Sequence, residues 1–142
     1  MKSRTSLTLM EQVVMLLVFA LASALCIQVF VYADRTSRSQ RDTEQAVLLA
    51  QNTAETLKAC RNIELAAEQL GGDIQQTMWS AHYYEDLSPA PDRESAFYHV
   101  DTLPQGSDLT GLGRANIDVF RYDGDEPLFS LSVAWQEVSG NA

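Results

Sequence analysis

Residues 6–33 read SLTLMEQVVMLLVFALASALCIQVFVYA, and a short basic leader, MKSRT, stands before them. From Val13 to Ala33 only Ser23 and Gln28 interrupt the apolar run. About 21 residues at about 1.5 Å each make a helix of about 31 Å, the thickness of a bilayer's hydrocarbon core. The stretch therefore predicts a membrane-spanning helix, with a carboxylate, Glu11, beside Gln12 at its mouth. Thr8-Leu9-Met10-Glu11 also fits a capping box, and an acid in a first turn suits the helix dipole. A secretory signal cut at Ala22-Ser23-Ala24 fits less well, because the apolar run continues through Ile27, Val29, Phe30 and Val31. Leu25 is too bulky to precede a lipidated Cys26.

Composition bounds the part of the chain beyond the membrane. A chain of 142 residues has room for the anchor and one small domain. The net charge of −9 is concentrated late, where from Asp73 onward twelve acids face only Arg93, Arg114 and Arg121. So acidic a domain repels phosphate backbones, and no nucleic acid is expected on it. Basic residues flank both ends of the apolar run, Lys2 and Arg4 before it and Arg35, Arg38 and Arg41 after it. Charge alone does not orient the helix.

Beyond Ala33 the helix is expected to continue. Asp34 to Gln45 is polar, and Ala46, Leu49, Ala50, Ala54 and Leu57 then recur at helical spacing to make one apolar stripe. That stripe covers barely two heptads, short for a coiled-coil stalk. A second, short helix is expected at Ile63 to Leu70, with Asn62 as N-cap and Gly71-Gly72 as its exit. After Asp73 the period changes to two. Four strands are expected: Met78 to Glu85, Ala96 to Leu103, Leu112 or Ala115 to Tyr122, and Leu128 to Val138. Leu87 to Asp92 and Pro104 to Asp108 read as loops, and Asp123-Gly124 as a hairpin turn. In the last strand Phe129, Leu131, Val133 and Trp135 share one face, and Ile117 and Val119 share one in the strand before it. An antiparallel sheet with one apolar face needs a partner layer, and the Ala46–Leu57 stripe supplies it. The fold class is α+β, a long N-terminal helix packed against a small antiparallel sheet. On one continuous helix Cys26 and Cys60 would lie about 50 Å apart, so no disulfide joins them.

Ser6-Leu7-Thr8-Leu9-Met10-Glu11, followed directly by an apolar helix, resembles the class III signal of type IV pilins and type II secretion-type pseudopilins. In that family a small residue, usually Gly, precedes the cut, and the mature chain opens with an apolar residue and carries Glu fifth. The resemblance covers about six residues plus the helix behind them; here Ser6 stands for Gly and Leu7 for the usual Phe. It implies cleavage by a prepilin peptidase between Ser6 and Leu7 and N-methylation of Leu7. It also implies a register role for Glu11 and a leader held in the cytoplasm by Lys2 and Arg4. The implied partners are other pilin or pseudopilin subunits, an inner-membrane platform protein, an assembly ATPase and membrane lipid. The implied organisation is a leader (1–6), a transmembrane half-helix (7–33), an extracytoplasmic half-helix (34–60) and a globular sheet head with a short linker helix (61–142). The N-terminus is then cytoplasmic and the head outside. The competing expectation is a single-pass anchored binding domain that is neither cut nor polymerised.

No catalytic pattern competes with these readings. There is no G-x-S-x-G elbow and no glycine-rich phosphate loop, and no His/Cys cluster has metal-ligand spacing. His82 reads as a strand residue. Asp123, Asp125 and Glu126 fit no calcium-loop spacing, and Asp-Gly is first a turn signal. The expectation is a structural protein rather than an enzyme, without a metal or cofactor.

Overall fold

The computed structural model describes residues 2–107 and 109–137, with side chains from Ser6 onward. The element order is α1 (Lys2–Cys60), α2 (Ile63–Leu70), β1 (Asp73–Gln75), β2 (Met78–Tyr83), β3 (Tyr98–Gln105), β4 (Leu112–Arg121) and β5 (Pro127–Gln136). The long first helix reflects what the sequence omits. The first glycine of the chain is Gly71 and the first proline is Pro89, so nothing breaks the ladder over 59 residues. Thr8 lies inside this helix rather than at its N-cap, so no capping box forms there. Arg61, at φ 55°, ends it, its N–H donating to the Leu57 carbonyl at 2.9 Å.

Two compact units form, Met1–Gln40 and Arg41–Ala142. In the first, the apolar side chains from Leu7 to Tyr32 are exposed around the helix. The helix is apolar and long enough to cross a membrane. Two hydroxyls along it are satisfied by the helix's own backbone. The Ser23 hydroxyl donates to the Phe19 carbonyl at 2.9 Å, and Thr36 donates to Tyr32 at 3.0 Å.

In the second unit the distal part of α1 lies on the sheet. Ala46, Leu49, Ala50, Ala54 and Leu57 are all buried, so the predicted stripe is the helix's contribution to the core. Thr53, also buried, belongs to it too. The sheet is an antiparallel meander in the order β1-β2-β3-β4-β5. Trp79, Ala81 and Tyr83 of β2, Tyr98, Val100 and Thr102 of β3, Ala115, Ile117 and Val119 of β4, and Val133 and Trp135 of β5 face the helix. Phe129 and Leu131 pack at the margin of the same face.

α2 spans Ile63–Leu70 as expected. Asn62 Oδ1 accepts from the Glu64 N–H at 2.7 Å, and Ala66 and Ala67 are buried. Its exit uses Gly71 and Gly72, both at positive φ. A side chain at Gly72 would collide with the Ser80 carbonyl and the Trp79 indole. That indole donates to the Gly71 carbonyl at 3.0 Å, tying the linker to β2.

Several boundaries differ from expectation. Among the described residues the sheet has five strands, not four, because β1 pairs with β2 across a two-residue turn, Gln76–Thr77. β2 stops at Tyr83, and Tyr84 and Glu85 belong to the loop after it. β3 starts two residues later than expected, at Tyr98, and runs on through Pro104 to Gln105, with Pro104 opposite Ala115. Proline is tolerated there because its nitrogen faces the side of β3 where pairing with β2 has already ended at Thr102. β4 takes the earlier of the two expected starts, Leu112. β5 begins at Pro127 and ends at Gln136; Val138, its expected end, and Asp108 lie outside the described residues. The turn at Asp123-Gly124 is closed by the Gly124 N–H donating to the Arg121 carbonyl at 3.1 Å.

Candidate functional site

The residues singled out from sequence sit at the start of α1. Ser6, Leu7 and Glu11 are helical and their side chains are exposed. Leu7, Thr8 and Glu11 stand three and four residues apart, so they share one face of the helix. The backbone of Lys2 and Arg4 belongs to α1, while their side chains lie outside the described ones. Among the described residues no cation comes within ion-pair distance of Glu11. The Ser6–Leu7 peptide bond is in the terminal turns of a helix, where fraying costs little free energy. On the polar stretch after the apolar run, Asp34 and Arg38 form an exposed pair at 3.0 Å.

A connected polar network lies in the second unit, between the distal part of α1 and the sheet. The Tyr98 ring is fully buried, and its hydroxyl is 3.0 Å from Asp42 Oδ1 and 2.6 Å from Gln45 Oε1. Burial first, then the Asp42 carboxylate, pushes the Tyr98 phenol well above its ordinary pKa. Arg121 Nη1 donates to Asp42 Oδ2 at 3.0 Å and its Nε to Asp123 Oδ1 at 2.9 Å. The Arg121 guanidinium also rests 5.0 Å over the Phe97 ring. Gln45 reaches on to the Glu85 carbonyl at 3.4 Å. This clasp was not legible in the sequence, since its members lie far apart and follow no period.

The outer face of the sheet, turned away from α1, is polar. Ser80 donates to Asp101 at 2.7 Å, Asn116 to Asp118 at 2.8 Å and Ser132 to Asn116 at 2.9 Å. Asp101 stands directly opposite Asp118, and His82 directly opposite His99. His82 is the strand residue expected; its partner in register was not foreseen. Among the described residues no three His, Cys, Asp or Glu side chains are grouped to hold a metal ion. Asp123 is engaged by Arg121, and both cysteines are free thiols, with Cys60 Sγ 3.2 Å from Gln69 Oε1.

Comparison with family models, with curated proteins and with solved structures finds no match to this chain.

Proposed function

We propose that the protein is a pilin-like or pseudopilin structural subunit whose work is assembly rather than turnover. One observation carries the reading: Glu11 stands at the mouth of a membrane-length apolar helix that goes on, unbroken, to carry a small antiparallel sheet. A prepilin peptidase cuts between Ser6 and Leu7, Lys2 and Arg4 holding the leader in the cytoplasm, and the new amine of Leu7 is methylated. The subunit waits in the membrane with its head outside. An ATPase-driven platform then moves it into a filament of a type IV pilus or of a secretion or competence pseudopilus.

Two forces hold it in such a filament. The Leu9–Val31 surface packs against sister helices; the gain there is close packing rather than hydrophobic transfer, because lipid is equally apolar. Glu11 supplies register. An unpaired carboxylate costs up to about 3 kcal/mol at a bilayer's centre and less near its edge. The methylated amine of a neighbouring subunit stays cationic and offsets that cost only at the correct axial stagger.

Glu11→Ala separates register from anchoring. It is expected to leave the protein expressed and membrane-bound but absent from sheared fibres, read by immunoblot of membrane and filament fractions. Normal incorporation of the variant contradicts the register role.

A further inference from the structure

His82 and His99, the two histidines of the chain, meet across β2 and β3 on the outer face of the sheet. The His82 carbonyl accepts from the Ala90 N–H at 2.8 Å, so it points away from β3. The two histidines therefore form a non-hydrogen-bonded cross-strand pair, the closer kind, with Cα atoms about 4.5 Å apart. His99 is 93% buried, its exposure being 7%, and stacks on Phe120 with centroids 4.9 Å apart and planes 9° from parallel. In both rings Nδ1 is buried without a hydrogen-bond partner among the described residues.

The loop between β2 and β3 is fastened at this point. Besides Ala90 on His82, Pro89 bridges Tyr83, the Phe97 N–H donates to the Tyr83 carbonyl at 2.8 Å, and Tyr84 N–H donates to Ser88 at 2.9 Å. The loop is stiffened by two carboxylates: Asp86 accepts from Ser88 and Asp92 from Ser95. It also brings charge close to the pair: Asp92 lies near enough for His82 to favour its charged form, and Arg93 acts on His99, while Asp101 acts on His99 from β3.

We propose that the His82–His99 pair is a proton-sensitive latch, holding the β2–β3 loop against β2 at neutral pH and releasing it when the surroundings acidify. With its one proton on Nε2, a neutral imidazole leaves Nδ1 bare, which a buried site tolerates. The second proton must go onto Nδ1, where it becomes a buried donor with no acceptor and a charge facing a second imidazole. Opening the loop hydrates both nitrogens and removes that penalty. Burial holds the His99 imidazole below its ordinary range, with Arg93 and His82 acting in the same direction and Asp101 against them. A base whose pKa is depressed in the closed state stabilises that state above its open-state pKa, about 6.5. The stabilisation is lost as pH falls below that value, at up to about tenfold in the opening constant per proton per pH unit. The latch belongs to the head alone and operates whether or not the subunit polymerises.

Amide hydrogen exchange on the full chain in detergent micelles, corrected for intrinsic rates, tests it. Between about pH 7.5 and about pH 5.5, protection of the Ala90 and Phe97 amides is expected to fall by roughly threefold or more. Protection of Ile117 and Val119 in the centre of the sheet is expected to hold. In His82→Gln/His99→Phe, which keeps a ring on Phe120, the fall should vanish; in His82→Gln alone it should shrink. Should the double variant lose protection throughout the sheet, the single variant decides. Loop protection that stays flat or rises in the native chain, or falls equally in the variants that fold, overturns the latch.

Discussion

Tyr98 ties the helix layer of the head to its sheet. Its ring fills the space between α1 and β3, and its hydroxyl meets Asp42 and Gln45, which in turn hold Arg121 and the Glu85 carbonyl. Tyr98→Phe keeps the ring and strands part of the Asp42 carboxylate. A loss of about 1.5–3 kcal/mol is expected, the usual range for a hydrogen bond to a charged group. The shift in the denaturant midpoint, followed through the buried Trp79 and Trp135, measures it. A midpoint unchanged from the native chain would mean the clasp is ornamental. Asp42 and Tyr98 are 56 residues apart, and nothing local announces that they meet. Trp135 and Gly113 make the same point: Gly113 is needed because a Cβ there would collide with the Trp135 ring, a constraint set by register across strands.

At the scale of elements, the sequence was most readable where one periodicity ran uninterrupted. The Ala46–Leu57 stripe, the cap at Asn62 and the alternation in β5 each rest on side chains spaced along a single element, and each is found as expected. β1 escaped because its hairpin turns through Gln76–Thr77, with Gln76 at φ 58° and none of the usual Gly, Asn or Asp there. Pro104 misled in the opposite direction, since whether a proline ends a strand depends on which side still needs its N–H. Leu57, fully buried near the end of the stripe, is the test of the helix–sheet layer. Leu57→Ala is expected to destabilise the head by about 2–5 kcal/mol, measured by the same unfolding transition. A loss below about 1 kcal/mol would show that the sheet does not depend on the helix for its core.

At the scale of the whole molecule, the design is a membrane-length apolar helix whose continuation becomes one layer of an α+β head. The apolar residues of the first unit are exposed, a surface of the kind that marks contact with a membrane or another protein. The candidate site was legible only as far as chemistry reaches along one helix face, Leu7 and Glu11 lying one turn apart. What meets that face lies outside a single chain, and single-chain patterns do not encode it. The assembly reading requires that Leu7 become a free, methylated terminus. Intact-mass measurement of the membrane-embedded form from its native cell tests this most directly. The account predicts a chain lacking residues 1–6 and heavier by one methyl group than Leu7–Ala142; an uncut chain beginning at Met1 would contradict it.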